Sequence, residues 1–245
     1  HLSLPMFFVD PIIEMVRNDL MKNSQEEIQK GAKRFFKEDI RCYGVKSAVV
    51  GKIAKKYWGE IKNREKQEIF TLCQELYSSG YMEDAFIVSN WMATISSQLT
   101  PADMPIIRSW VSTYISNWAM CDSFCNHAVG DLVDAYPECI TELIAWTTSD
   151  NRWMRRAAAV SLIIPAKHGK FLEEAIRIAD LLLTDEDDMV QKGYGWLLKE
   201  ASRKHQQIIF EYVMKNKQKM PRTSLRYAIE LMPADLRKLA MQKDW

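Results

Sequence analysis

The sequence predicts an all-α fold, and three observations carry that prediction. Apolar residues recur at spacings of three and four rather than alternating; only nine Gly and eight Pro punctuate the 245 residues; and helix-start signals follow one another closely. Asp10 before Pro11 reads as an N-cap followed by proline at the first helical position, and Ser24 with Glu27 reads as a capping box. Two helices are thereby placed before residue 40. Further starts fall at Asn63, at Thr100-Pro101 with Asp103, near Asn117, at Ser149-Asp150, near Asp187-Asp188, and around Pro221 and Pro233. These intervals suit helix pairs recurring every ~35–45 residues, as in solenoids of the HEAT type, although no clean sequence repeat is present. The expectation is a single α-solenoid domain over residues 1–245.

Bulk composition bounds what that domain can be. A chain that is 47% hydrophobic buries a substantial core. Thirty-three basic against 32 acidic residues give a net charge of +1, so any nucleic-acid surface must be local. Five cysteines, Cys42, Cys73, Cys121, Cys125 and Cys139, form no regular framework, which fits a reducing cytoplasm better than a secreted, disulfide-stapled fold. The first residues have no basic n-region and too short an apolar stretch for a signal sequence or membrane span. His1 rather than Met opens the chain, so its first few residues are expected to be a cloning scar.

Charge is distributed unevenly. From Cys121 to Asp150 there are six acidic residues and no Lys or Arg, whereas from Gln191 to Arg226 nine basic residues face only Glu200 and Glu211, a local +7. On a helix, Lys192, Trp196, Lys199 and Arg203 share one face, a basic stripe interrupted by an indole. Arg152 and Arg156 form a second basic pair on the preceding long helix, whose apolar face is Trp153, Ala157, Val160 and Ile164; Arg222 and Arg226 repeat the spacing. In a curved solenoid, equivalent faces of successive helices line one concave groove, and a basic groove suits a phosphate backbone. A single basic stripe is more often a solvated helix face, and three in succession weigh against that reading. Gly193 and Gly195 flank Tyr194 just before Trp196; each mid-helix glycine costs about 1 kcal/mol relative to alanine, a cost that close approach of another backbone or a ligand would justify.

The segments Asn117-Trp-Ala-Met-Cys-Asp122, Ser149-Asp-Asn-Arg-Trp-Met-Arg-Arg156 and Gln191-Lys-Gly-Tyr-Gly-Trp-Leu-Leu-Lys199 resemble, in order and spacing, the AlkD-type DNA alkylation repair enzymes. Tyr43-Gly44-Val45-Lys46-Ser47, before the basic helix from Lys52 to Trp58, is similar to the N-terminal Gly-Val/Ile motif of that family. The resemblance spans about residues 20 to 230. It implies a HEAT-like-repeat glycosylase that removes cationic N3- and N7-alkylated purines from double-stranded DNA without metal or cofactor and without extruding the base into a pocket. It assigns Asp122 as the catalytic carboxylate and Trp118 and Trp196 as the indoles packed on the lesion's deoxyribose. Arg156 and Lys199 would hold phosphates, with Arg152, Lys192 and Arg203 beside them, and Lys46 and Ser47 would touch the strand opposite the lesion. Lys199 stands where the family carries arginine, which keeps the charge and loses the bidentate fork. Between Trp118 and Asp122 the spacer Ala119-Met120-Cys121 is less polar than in some relatives.

The chemistry is coherent on its own terms. Alkylation at N3 or N7 makes the purine cationic, so it departs as a neutral base without a general acid. The remaining oxocarbenium-like sugar is stabilised by an ionised carboxylate that also orients water. At an ordinary aspartate pKa, Asp122 is expected to be ionised at pH 7. Indole faces attract cations by about 0.5–2 kcal/mol per contact.

Each residue also has a purely structural reading. Asp122 early in a helix favours the positive end of its dipole, and Trp118, like Trp58, Trp91, Trp110, Trp146 and Trp153, could be core. Cys121, Cys125 and His127 lack a convincing fourth metal ligand. No triad or phosphate-binding glycine motif appears. Two functions stay open, a monomeric cytoplasmic glycosylase associated with the nucleoid when bound to DNA, and a non-catalytic HEAT-like scaffold for DNA structures or a protein partner.

Overall fold

Helices follow one another along the whole of the computed structural model, which describes residues 9–245. Residues 1–8, expected to include a cloning scar, lie outside the described residues. Extended backbone pairs only as an isolated bridge between Arg41 and Tyr81 among the described residues, and none of their helices is long and apolar enough to cross a membrane. The chain divides into two compact units, His1–Gln98 and Leu99–Trp245.

In the first unit, α1 (Pro11–Lys22), α2 (Glu26–Phe35), α3 (Ser47–Ile61), α4 (Lys66–Ser78) and α5 (Met82–Thr94) follow in order. Asp10 caps α1 as expected, accepting from Ile12 N at 3.0 Å. The Ser24–Glu27 capping box does not form. Ser24 instead donates its hydroxyl to the Met21 carbonyl at 2.8 Å, closing the end of α1, and α2 starts at Glu26 from Gln25. The serine faces two competing backbone partners, and the preceding helix wins. The start expected at Asn63 slides to Lys66, with Glu65 as cap.

The loop before α3 is held by Glu83, a buried carboxylate that accepts from the backbone N–H groups of Tyr43, Gly44 and Val45 at 2.9–3.1 Å. Gly44 sits at φ +89°, and a Cβ there would lie 2.5 Å from the Gln25 carbonyl oxygen, so only glycine lets this loop pass α2.

The second unit holds α6 (Met104–Tyr114), α7 (Trp118–Phe124), α8 (Gly130–Ala135), α9 (Ile140–Trp146), α10 (Arg152–Val160), α11 (Ile163–Lys167), α12 (Leu172–Leu182), α13 (Asp188–Asn216), α14 (Arg222–Ala228) and α15 (Ala234–Met241). The start expected at Thr100-Pro101 is present as a short 3-10 turn, closed by a capping box between Thr100 and Asp103. α10 is short rather than long; it is capped by Asn151 instead of Ser149 or Asp150 and ends at Val160. α13 is the packing axis, lying against α10, α11, α12 and α14. It kinks at His205, whose backbone is non-helical and whose Nε2 lies 2.9 Å from the Gly169 carbonyl oxygen.

Gly195 explains itself by packing. A Cβ there would sit 2.7 Å from Tyr227 Cβ and 2.9 Å from the Ser224 carbonyl oxygen, so α14 rests directly on the bare backbone of α13. Gly195→Ala is therefore expected to destabilise the fold by about 1–3 kcal/mol through overpacking. The helical control Gly59→Ala, with nothing within 4 Å of its added methyl, is expected to be neutral or stabilising by up to about 1 kcal/mol. Urea unfolding of the two variants checks the contrast, and equal midpoints would refute the packing account.

Candidate active site

Asn117 fixes where α7 begins. Its side-chain oxygen accepts from Met120 N at 3.0 Å, which makes Trp118 the first helical residue and puts Asp122 one turn later on the same face. Beyond Phe124 the helix widens into a π turn over Cys125–Val129 before α8 resumes at Gly130, a local irregularity common beside functional residues.

Facing Asp122 is Arg156. Asn151 accepts from Trp153 N at 2.9 Å and so sets the start of α10, with Arg156 just over one turn along it. The guanidinium grips the carboxylate with two parallel bonds, Nε to Oδ1 at 3.0 Å and Nη2 to Oδ2 at 2.8 Å. Its third nitrogen, Nη1, donates to the Met189 carbonyl in the first turn of α13 at 2.6 Å. The side chains are only 7% and 14% exposed, so this is a buried, charge-assisted fork rather than a surface ion pair. Arg156, expected to hold phosphate, spends most of its donors inside the protein.

Burial pushes the Asp122 carboxyl above its ordinary value, against the pull of Arg156. This corrects the expectation of an unshifted aspartate. For the guanidinium, burial works against the charge, and the bonds to Asp122 outweigh it and hold the proton more tightly.

Gly193 explains the remaining glycine. A Cβ would meet Arg156 Cγ at 3.3 Å, so the bare α-carbon leaves room for the arginine to lie across α13. Trp196 follows one turn later and is half-buried, as is Trp118. Trp91, Trp110, Trp146 and Trp153 are buried core residues, whereas Trp58 in the first unit is half-buried like Trp118 and Trp196.

The basic stripes of α10 and α13 are paired, not free. Arg152 binds Asp187, the N-cap of α13, with Nη2 to Oδ1 at 3.2 Å, and stacks 4.5 Å from the Trp153 ring. Lys192 lies 3.7 Å from Asp188, Lys199 lies 3.0 Å from Glu230, and Arg203 pairs with Glu200. Lys192, Lys199 and Lys217, which lies 2.6 Å from Asp244, pair with carboxylates outside residues 191–226, so flanking segments compensate part of the +7 counted there. The sequence reading missed Arg155, held at 2.8 Å by Asp185, and the Met189 carbonyl. Three near-consecutive arginines on α10 were the available signal. Lys46 and Ser47 are exposed at the start of α3 in the first unit. Cys121 and Cys125 are buried and free, His127 is exposed, and no metal-holding group of three His, Cys, Asp or Glu occurs among the described residues.

A guanidinium-held carboxylate that shares a helix face with a half-buried indole is a class of site suited to a cation. The family described as "DNA alkylation repair enzyme" matches residues 16–232, and this chain belongs to that family. Its fold is similar to a predicted DNA alkylation repair enzyme from Enterococcus faecalis, with a TM-score of 0.77 at 15% identity, covering 86% of this chain and 98% of that one. AlkD2 from Streptococcus mutans is similar with a TM-score of 0.61 at 18% identity, covering 91% and 100%. The alkylpurine DNA glycosylase AlkC from Pseudomonas fluorescens, bound to DNA containing an abasic site analog, has a TM-score of 0.51 at 12% identity, covering 89% and 61%. No curated protein matches the sequence.

Removing the arginine isolates a buried charge. Arg156→Met is expected to cost about 3–5 kcal/mol in urea unfolding at pH 7. A carboxyl whose folded pKa is raised loses stability as pH rises through that value, so the deficit should shrink at pH 5. Adding Asp122→Asn should recover part of it. A deficit that is independent of pH and unchanged in the double variant would show that the pair is not what the arginine stabilises.

Proposed function

We propose that this member of the DNA alkylation repair family is a glycosylase that hydrolyses the N-glycosidic bond of cationic N3- and N7-alkylated purines in double-stranded DNA. The observation that carries the proposal is Asp122, a buried carboxylate fixed by two bonds from Arg156, one turn from Trp118 on the same helix.

In this reading the C1′–N bond breaks, its electron pair neutralises the purine cation, and the base leaves without protonation. The deoxyribose gains oxocarbenium character, which the fixed carboxylate stabilises because its orientation is set before reaction. Water adds at C1′ and loses its proton to solvent. Arg156 uses one lone-pair direction of each Asp122 oxygen and leaves the others for the sugar and water. Trp118 and Trp196 offer indole faces to the same positive charge. Lys199, Arg152, Lys192 and Arg203 exchange their carboxylate partners for phosphates, and Lys46 and Ser47 contact the opposite strand. A fold neighbour captured on DNA with an abasic-site analog, a mimic of the product of base release, supports this reading.

The test is release of free methylated purine from duplex DNA carrying N3- and N7-methyl lesions. Wild type should release base, and Asp122→Asn, checked for an intact fold, should be slower by about 100-fold or more. Because burial raises the Asp122 pKa, activity should fall as pH drops through a value above the ordinary ~3.9 of aspartate. Folded wild-type protein that binds DNA without releasing base would leave only the scaffold function.

A further inference from the structure

Most cations of the second unit's site region already have carboxylate partners; those around the outer edge of α14 and α15 do not. Arg226, Arg237 and Lys238 are exposed and line an open concavity of about 420 Å³, with Ile229, Ala234 and Met241 as its apolar floor. Glu230 is the single carboxylate among its lining residues, and it is held by Lys199 at 3.0 Å. Three uncompensated positive charges around one hollow repel one another in the free protein, and an anion relieves that repulsion.

The hollow is a built feature. α15 lies beyond residue 232, where the family match ends, and it supplies Arg237 and Lys238. The end of that helix is fastened by two cations from elsewhere. Lys217 Nζ donates to the Leu239 and Gln242 carbonyls at 3.0 and 2.9 Å, and Arg222 Nη2 donates to the Met241 carbonyl at 2.8 Å. Cations at a helix C-terminus satisfy its unpaired carbonyls and favour the negative end of its dipole. Met241 itself forms part of the floor. The basic rim is thus held in place rather than left on a frayed terminus.

We infer that the α14–α15 hollow is an additional binding surface for the DNA phosphate backbone, using Arg226, Arg237 and Lys238. The inference rests on the DNA-repair reading for its choice of polyanion. Glu230 joins the hollow to the site edge, because the same carboxylate lines the hollow and occupies Lys199. A phosphodiester in the hollow repels Glu230, and releasing Lys199 gives the backbone a second cation. The two arginines suit phosphate oxygens through paired N–H donors, and the shallow apolar floor accommodates the sugar edge.

The test measures equilibrium binding of undamaged duplex DNA across a salt series, which needs no base release. Arg237→Gln/Lys238→Gln should reduce the slope of log K against log salt by about 0.9 for each lost phosphate contact, and should weaken low-salt affinity by about tenfold or more. Glu230→Gln should strengthen binding. An affinity within twofold of wild type and an unchanged slope in the double variant, with its unfolding midpoint intact, would overturn the inference. So would competition by inorganic phosphate beyond chloride at equal ionic strength, which would mark a small-anion site. Wild type that releases methylated purine while the double variant binds unchanged leaves the glycosylase reading standing without this surface. The reverse result, a reduced slope with no base release, leaves the surface and removes the glycosylase.

Discussion

The buried fork between Arg156 and Asp122 is the constraint from which the second unit's organisation follows. One guanidinium reaches three helices at once, through the carboxylate on α7, its own backbone on α10 and the Met189 carbonyl on α13. Desolvating both charges is costly, and the pair is tolerable only because each partner is met with good geometry. Gly193 is bare where the arginine crosses it, Asn117 and Asn151 fix the two helix starts, and Asp187 fixes the third. Neighbouring arginines on α10 reinforce the arrangement, with Arg152 on Asp187 and Arg155 on Asp185.

This pairing places α10 in two roles. A surface that binds polyanions and a core that needs fixed charges draw on the same residue types. In α10 the arginines face the protein first. Positive charge with no internal partner appears instead at the edge of α14 and α15, where side chains leave the packed part of the unit.

The helical class was legible because spacing of apolar residues is a local property, and so were the caps Asp10, Asn117 and Asp187, whose carboxylate or amide oxygens accept from N–H groups of the very next turn. The capping box at Ser24 was misread because a serine hydroxyl chooses among nearby backbone groups, and the Met21 carbonyl was outside the pattern. A matched motif is what singles out Trp118, Trp196 and Asp122, since nothing local distinguishes Trp118 from the buried Trp110. Charge compensation was not legible. Lys199 finds Glu230 31 residues away and Arg152 finds Asp187 35 residues away, distances that no window of sequence joins. Burial, which raises the Asp122 pKa, likewise depends on helices far away in sequence.

The π turn at Cys125–Val129 gives the site an unusual sensitivity to chain length. A π turn accommodates one residue more than the α-helix would, and each residue of an α-helix turns the chain by about 100°. The faces of α7 and α8 are therefore phased to each other by a single inserted residue, with Phe124 buried on one side and Leu132 and Val133 on the other. Deleting one residue from this turn would restore a regular helix and keep its hydrogen bonding. It would also rotate Asp122 away from Arg156 if α8 stayed packed, or unseat α8 if the ion pair held. Evolution along this stretch is accordingly easier by substitution than by change of length.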